Sequence, residues 1–343
     1  MKSVIIIRSD GGTSIGMGHV TRCLALAEML QKDFSIVFAI QEPTESVIAA
    51  IHTVTETIIH LPATTNYSED AITFSHYVSS SDIVVLDGYH FKTDYQRSLK
   101  DKGCKLVVID DLHAWPHVAD VIINHAPGIT AGAYLAEQYT KLCLGADYVL
   151  LRKEFLTQGH ASRKIKSIRK AFISMGAADV TNVTSKFTEA LTGMEEIEEI
   201  HLMISSINPH IRELEKLIEK NRQKKIITHL NISARELVGL LQDCDLSICP
   251  ASSISLESCA IGIALVSGYT ADNQLENLSG LEKRKTLVNF GNLNLISVQE
   301  IRTMLQLLSA DPEQLIVMIE NQKKLIDGRS PERLTHVFKK LAS

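Results

Sequence analysis

The sequence predicts an α/β protein of two doubly wound units, each built on a covered parallel sheet, and three observations carry that expectation. Short Val- and Ile-rich runs, apolar on both faces, alternate with stretches of helical period along most of the chain. The polar stretch TQGHASRKIKSIRK at 157–170 holds five Lys or Arg and no apolar period, and the alternation restarts beyond it. The 343 residues also exceed what one hydrophobic core usually organises.

In the first half, strands are expected over 4–8, 35–40, 83–87, 105–110 and 121–124. A helix is expected over 20–30, where Val20, Leu24, Ala27 and Leu30 share one stripe. In the second half the expected strands are 171–174, 201–204, 225–229, 245–249 and 264–267, with helices over 211–221 and 234–241 between them. The domain plan that follows is a first βα unit over 1–156, a linker over 157–170, a second βα unit over 171–325 and a helical tail over 326–343. Two such units facing each other would present the loops at the carboxyl ends of their strands, where ligands of open α/β sheets bind.

Composition narrows the class. The chain is 45% apolar and 22% charged, ordinary for a globular protein, and its net charge of −5 argues against a dedicated nucleic-acid binder. Six cysteines are scattered without a CxxC pair, so neither a zinc site nor a disulfide framework is expected. The apolar run at 4–7 is too short for a signal-peptide core, and no segment has the length of a membrane span. A cytoplasmic protein is expected.

Chemistry should then lie in loops that directly follow strands. The first, after residues 4–8, places Gly11, Gly12, Gly16 and Gly18 before His19 and Arg22 at a helix start. Glycines allow a tight turn and close approach, and the free N–H groups of a helix start favour an anion. Thr21 stands where a dinucleotide fingerprint needs its third glycine, and no Gly-Lys-Ser/Thr follows, so neither that fingerprint nor a Walker loop is present. A helix start also favours the neutral form of His19. In the second loop, Gly176 and Ala177 would leave room for a ligand, while Asp179 and Thr181 are plausible helix caps. The third leads from Pro250 through Ser252 and Ser253 to Glu257, and later to Asn273 and Gln274. A glutamate one turn inside a helix can accept two hydrogen bonds from a ribose diol, or simply complement the helix dipole. Asp87, Tyr89, Asp110 and Asp111 end strands of the first unit, where an acid is often only the cap of the next helix. His60, His113 and His125 have no partner visible in the sequence.

Five segments, RSDGGTSIGMGHVTRCLALAEML, VVIDDLHAWPHVADVIINHAP, LGADYVLLRKEF, ISMGAADVTN and ASSISLESCAIGIALVSGYTADNQLEN, occur in an order and spacing that resembles the UDP-sugar hydrolase family of pseudaminic acid biosynthesis. That family lies in the glycosyltransferase-B superfamily, and the resemblance covers roughly residues 1–280. It implies a glycosyltransferase-B-like fold and inverting hydrolysis of UDP-2,4-diacetamido-2,4,6-trideoxy-β-L-altropyranose. UDP leaves, water enters, and neither cofactor nor metal is required. On this resemblance His19 positions or deprotonates the water, Gly16 and Gly18 lie beneath the sugar, and Asp10 and Arg22 support them. Tyr89 lies near the sugar, Glu257 holds the ribose, Ser252 and Ser253 flank the diphosphate, and Asn273 with Gln274 meets sugar or phosphate. Gly176, Ala177 and Asp179 fall in the family's other binding loop.

The chain departs from the family in two places. Gly176-Ala177-Ala178-Asp179 replaces Gly-Gly-Ser-Asp. Ile254 and Leu256 stand where relatives carry threonine and tryptophan before the glutamate. These changes are compatible with UDP binding, but the sugar's identity does not follow from them. A UDP-sugar glycosyltransferase, a hydrolysing nucleotide-sugar 2-epimerase and an inactive UDP-sugar-binding protein are the alternatives. Product release without an acceptor separates the hydrolase from the transferase and the binder.

Overall fold

The computed structural model describes residues 2–11, 17–157, 165, 167–176 and 179–343. The chain divides into two compact units, Met1–Lys153 with Gly328–Ser343, and Glu154–Asp327. The linker expected over 157–170 falls largely outside the described residues.

The first unit runs β1 (Val4–Ser9), α1 (Gly18–Leu30), β2 (Ser35–Gln41), α2 (Glu45–Ile51), β3 (Ile58–Leu61), α3 (Tyr67–Ser75), β4 (Ile83–Asp87), α4 (Thr93–Lys100), β5 (Lys105–Ile109), β6 (Val121–Asn124) and β7 (Lys141–Leu144). One helical turn, α5 (Lys153–Leu156), follows at the boundary in sequence. The seven strands are all parallel in the order β3-β2-β1-β4-β5-β6-β7.

The second unit runs β8 (Lys170–Ile173), α6 (Val183–Thr192), β9 (Glu199–Ile204), α7 (Ile211–Lys220), β10 (Lys225–Leu230), α8 (Ala234–Asp243), β11 (Leu246–Pro250), α9 (Ser253–Ile261), β12 (Ala264–Tyr269), α10 (Leu275–Lys283), β13 (Val288–Asn292), α11 (Val298–Ser309) and α12 (Pro312–Leu325). Its six strands are parallel in the order β10-β9-β8-β11-β12-β13. The final helix, α13 (Ser330–Ala342), belongs to the first unit.

The doubly wound expectation holds in both halves, with three strands more than the sequence reading finds. β3, β7 and β13 are short edge strands of four or five residues. Each is buried on one side at most, so none shows the continuous apolar run of a central strand.

Both faces of the first sheet are covered, which is why its central strands are apolar throughout. Ile5 and Ile7 of β1 enter one buried cluster and Ile6 the other. The first cluster packs Val20, Cys23, Leu26 and Leu30 of α1 with Leu334, Val337 and Phe338 of α13. The second holds Ala71 and Phe74 of α3 with Tyr95 and Leu99 of α4. In the second unit Gly268 is fixed by space. A Cβ there would lie 2.3 Å from the Gly291 carbonyl, where β12 and β13 lose register and Gly291 takes φ +66°.

The strand order of each sheet reverses once, between β1 and β4 and between β8 and β11. At such a reversal the loops leaving adjacent strands diverge to opposite faces and open a crevice at their carboxyl ends. All six cysteines are buried free thiols.

Phe338 is fully buried with α1. Replacing it by Ala should cost about 3–5 kcal/mol. Hydrogen exchange should show the loss in amides of α1 and β1, with those of β11 and β12 unchanged.

Candidate active site

The reversal between β1 and β4 is where the first unit gathers its polar side chains. Pairing of Ser9 with Asp87 sets the ends of the two strands side by side. The chain leaving β1 enters α1 at Gly18, so His19 and Arg22 sit in its first turns, one turn apart on the same face. Asp87 is wholly buried and accepts from both. His19 Nδ1 lies 2.7 Å from Oδ1, and Arg22 donates through Nε to Oδ2 and through Nη2 to Oδ1, both at 2.6 Å. Arg22 also donates through Nη1 to Asp111 Oδ2 at 2.8 Å, and the Cys23 thiol lies 3.4 Å from Asp87 Oδ2.

These contacts fix the chemistry of His19. A carboxylate only accepts, so the Nδ1 atom facing Asp87 carries the hydrogen. The lone pair of the neutral ring is then on Nε2. Arg22 Nη2 also approaches Nδ1 at 3.1 Å, but its stronger partner is Asp87. Tyr89, partly exposed, meets the His19 ring edge-on with centroids 4.7 Å apart. Burial alone would raise the Asp87 pKa, but Arg22, and after it His19, bring it down to about 2. Burial likewise opposes the charge on Arg22, and Asp87 and Asp111 outweigh it, holding the guanidinium well above its ordinary range. By sequence Asp87 is a strand-end acid, and the family resemblance assigns Arg22 only a supporting part. The structure makes this pair the centre of the cluster.

Asp10 belongs to a neighbouring buried network. Arg8, with no exposed surface, donates to Asp10 at 2.5 Å and to both oxygens of Asp70 at 3.2 and 3.3 Å. The Gln41 N–H reaches Asp10 at 2.9 Å, and the Tyr95 hydroxyl and Gln41 side chain donate to Asp70. Asp110 is occupied structurally, accepting from the His113 N–H and the Tyr134 hydroxyl.

Gly18 is the first residue of α1, and a Cβ there would meet open space. Gly16 and Ala177 lie outside the described residues. The second unit places the remaining described candidates after β8 and β11, the strands at its own reversal, and after β12. Gly176, at φ +83°, requires glycine by conformation rather than by space. The two oxygens of Asp179 accept from the Val183 and Thr184 N–H groups at 2.8 and 2.9 Å, the capping arrangement of α6. Ser252 precedes α9 without a capping side-chain bond, and Ser253 opens the helix. Glu257 is buried one turn further in. Asn273 and Gln274 lie in a short 3-10 turn before α10, where Gln274 Oε1 accepts from the Thr270 N–H at 2.8 Å. The sequence reading missed Asn277, whose side chain donates to Ser255 Oγ at 3.3 Å and so ties α10 to α9. Among the described residues no group of three or more His, Cys, Asp or Glu is arranged to hold a metal ion, and no helix is long and apolar enough to cross a membrane.

Two parallel-sheet Rossmann-like units of seven and six strands are the architecture of the glycosyltransferase-B fold, and the chain has that fold. A crystal structure of MurG from Acinetobacter baumannii matches it with a TM-score of 0.69 at 14% identity, covering 99% of this chain and all of that one. No family model matches the chain. In sequence it is similar to the spore coat polysaccharide biosynthesis protein SpsG of Bacillus subtilis, 24% identical over 98% of this chain and 97% of that protein. It is also similar to the UDP-2,4-diacetamido-2,4,6-trideoxy-β-L-altropyranose hydrolase of Campylobacter jejuni, 26% identical over 74% of this chain and 87% of that enzyme.

Asp87 gives the cluster a pH signature. Its folded pKa of about 2 lies below the ordinary 3.8. Its stabilisation is therefore complete above about pH 4 and is lost as the pH falls through about 2, a swing of about 2 kcal/mol. In urea unfolding across that window, the native chain should lose about 2 kcal/mol more than Asp87→Asn.

Proposed function

We propose that the protein hydrolyses a UDP-activated amino sugar with inversion, releasing free sugar and UDP. The observation that carries this reading is the His19–Asp87 pair. The imidazole is anchored through Nδ1 to a buried carboxylate, with Nε2 left as the basic atom. The sequence similarity to a UDP-sugar hydrolase agrees with it.

In this mechanism a water oxygen attacks the anomeric carbon as the bond from that carbon to the UDP oxygen breaks. The water's proton passes to His19 Nε2, and UDP leaves with the bonding electron pair. Asp87 stabilises the imidazolium formed at that moment, as the buried carboxylate of a catalytic triad does. Arg22 keeps Asp87 ionised and in place, and Tyr89 borders the sugar beside the His19 ring. The second unit would hold the nucleotide. Ser252 and Ser253 at the start of α9 meet the diphosphate, Glu257 takes the ribose diol, and Gly176 with Asn273 and Gln274 completes the cradle. A diphosphate met by helix N–H groups leaves readily, so no strong general acid is required. The free product is a neutral amino sugar suited to surface-polysaccharide synthesis, with the diacetamido-trideoxy donor as the favoured substrate.

The test is UDP release from a panel of UDP-amino sugars, with EDTA present and no acceptor. Rapid release that falls about 10²–10⁴-fold in His19→Ala supports the reading. Release only after an alcohol acceptor is added would make the protein a glycosyltransferase, the activity of several of its structural neighbours. Release unchanged in His19→Ala would remove His19 as the base.

A further inference from the structure

The segment that follows β6 contains a histidine that the mechanism does not use. Pairing of Ile109 with Ile123 sets the end of β6 beside the end of β5, so the loop carrying His125 runs alongside the one carrying Asp111, the second partner of Arg22. His125 is half-buried, close enough to Arg22, Asp111 and Asp87 to share their electrostatic field. Its Nδ1 accepts the Leu150 N–H at 3.3 Å. Because Nδ1 accepts, the ring hydrogen is on Nε2, and that N–H has no partner among the described residues.

Building on the proposed hydrolysis, we infer that His125 is a specificity-determining residue. Its Nε2–H, fixed in tautomer by Leu150 and without a partner among the described residues, donates to a neutral oxygen of the bound sugar, a hydroxyl or an N-acyl carbonyl. Burial first, and then the charge of Arg22, bring the His125 pKa down to about 4 against the opposing pull of Asp111 and Asp87. The ring is therefore uncharged at neutral pH. It serves as neither proton donor nor counter-ion to the diphosphate, and an uncharged donor suits an uncharged acceptor. His19 and His125 thus divide the work in one unit, one as the base and the other as a fixed donor.

The experiment is calorimetric titration of the full-length His19→Ala chain, which removes turnover, with UDP and with UDP-diacetamido-trideoxy-altrose. The titration is repeated with His125→Phe or His125→Gln added. The expected result for the Phe variant is about tenfold weaker binding of the UDP-sugar with UDP binding unchanged. The Gln variant, which keeps an N–H donor, should recover most of the loss. Equal UDP-sugar affinity in the Phe variant would overturn the inference. So would equal weakening of both ligands with no recovery by Gln, since that pattern marks a structural role. If the His19→Ala chain bound UDP but no UDP-sugar, the hydrolase reading would fail, and this inference with it.

Discussion

Everything proposed for the first unit depends on one buried carboxylate. Asp87 has no exposed surface, and a lone charge in that position would be strongly destabilising. It is tolerated because four donors from a single helix face converge on it: one ring nitrogen, two guanidinium nitrogens and a thiol. The same contacts that make the charge affordable also lock the imidazole orientation. Stability and chemistry therefore cannot be tuned separately here. A change that relaxes the burial of Asp87 also frees the ring it orients.

The two units solve different electrostatic problems with one topology. At the reversal of its sheet the first gathers charged side chains into a compensated cluster, with a second buried network around Arg8 beside it. The second, in the role proposed for it, would rely on backbone. A helix opens at Ser253 without a capping side chain, a glycine holds φ +83° at the end of the neighbouring strand, and Asp179 is already committed to capping α6. Backbone dipoles suit a diphosphate, whereas an oriented side chain suits a proton transfer.

The sequence makes the central strands plain, because VIIIRS, IVVLD and KLVVI lie under helices on both faces and need no polar alternation. Edge strands such as IIHL and VNFGN have solvent on one side and too few residues for a period to emerge. His19 stands out from sequence because glycines and a helix start surround it. Asp87 does not, since an acid ending a strand is written identically whether it caps the next helix or anchors a side chain. Only the register between β1 and β4, which brings His19 at the start of α1 to Asp87 across 68 residues of chain, tells the two cases apart. Asp179 shows the other outcome, with both oxygens on helix N–H groups. His125 shows a third, where the decisive partner is a backbone N–H 25 residues downstream.

The placement of α13 bears on how the chain is made. The helix that completes the apolar face of α1 is separated from the rest of its unit by the whole of the second unit. During synthesis the second unit has all of its strands and helices available while the first still lacks part of its covering layer. Vectorial folding would therefore run against the order of the sequence, with the second unit complete first and the unit bearing His19 finished last. The unit proposed for chemistry would become competent only after the unit proposed to hold the nucleotide had been made.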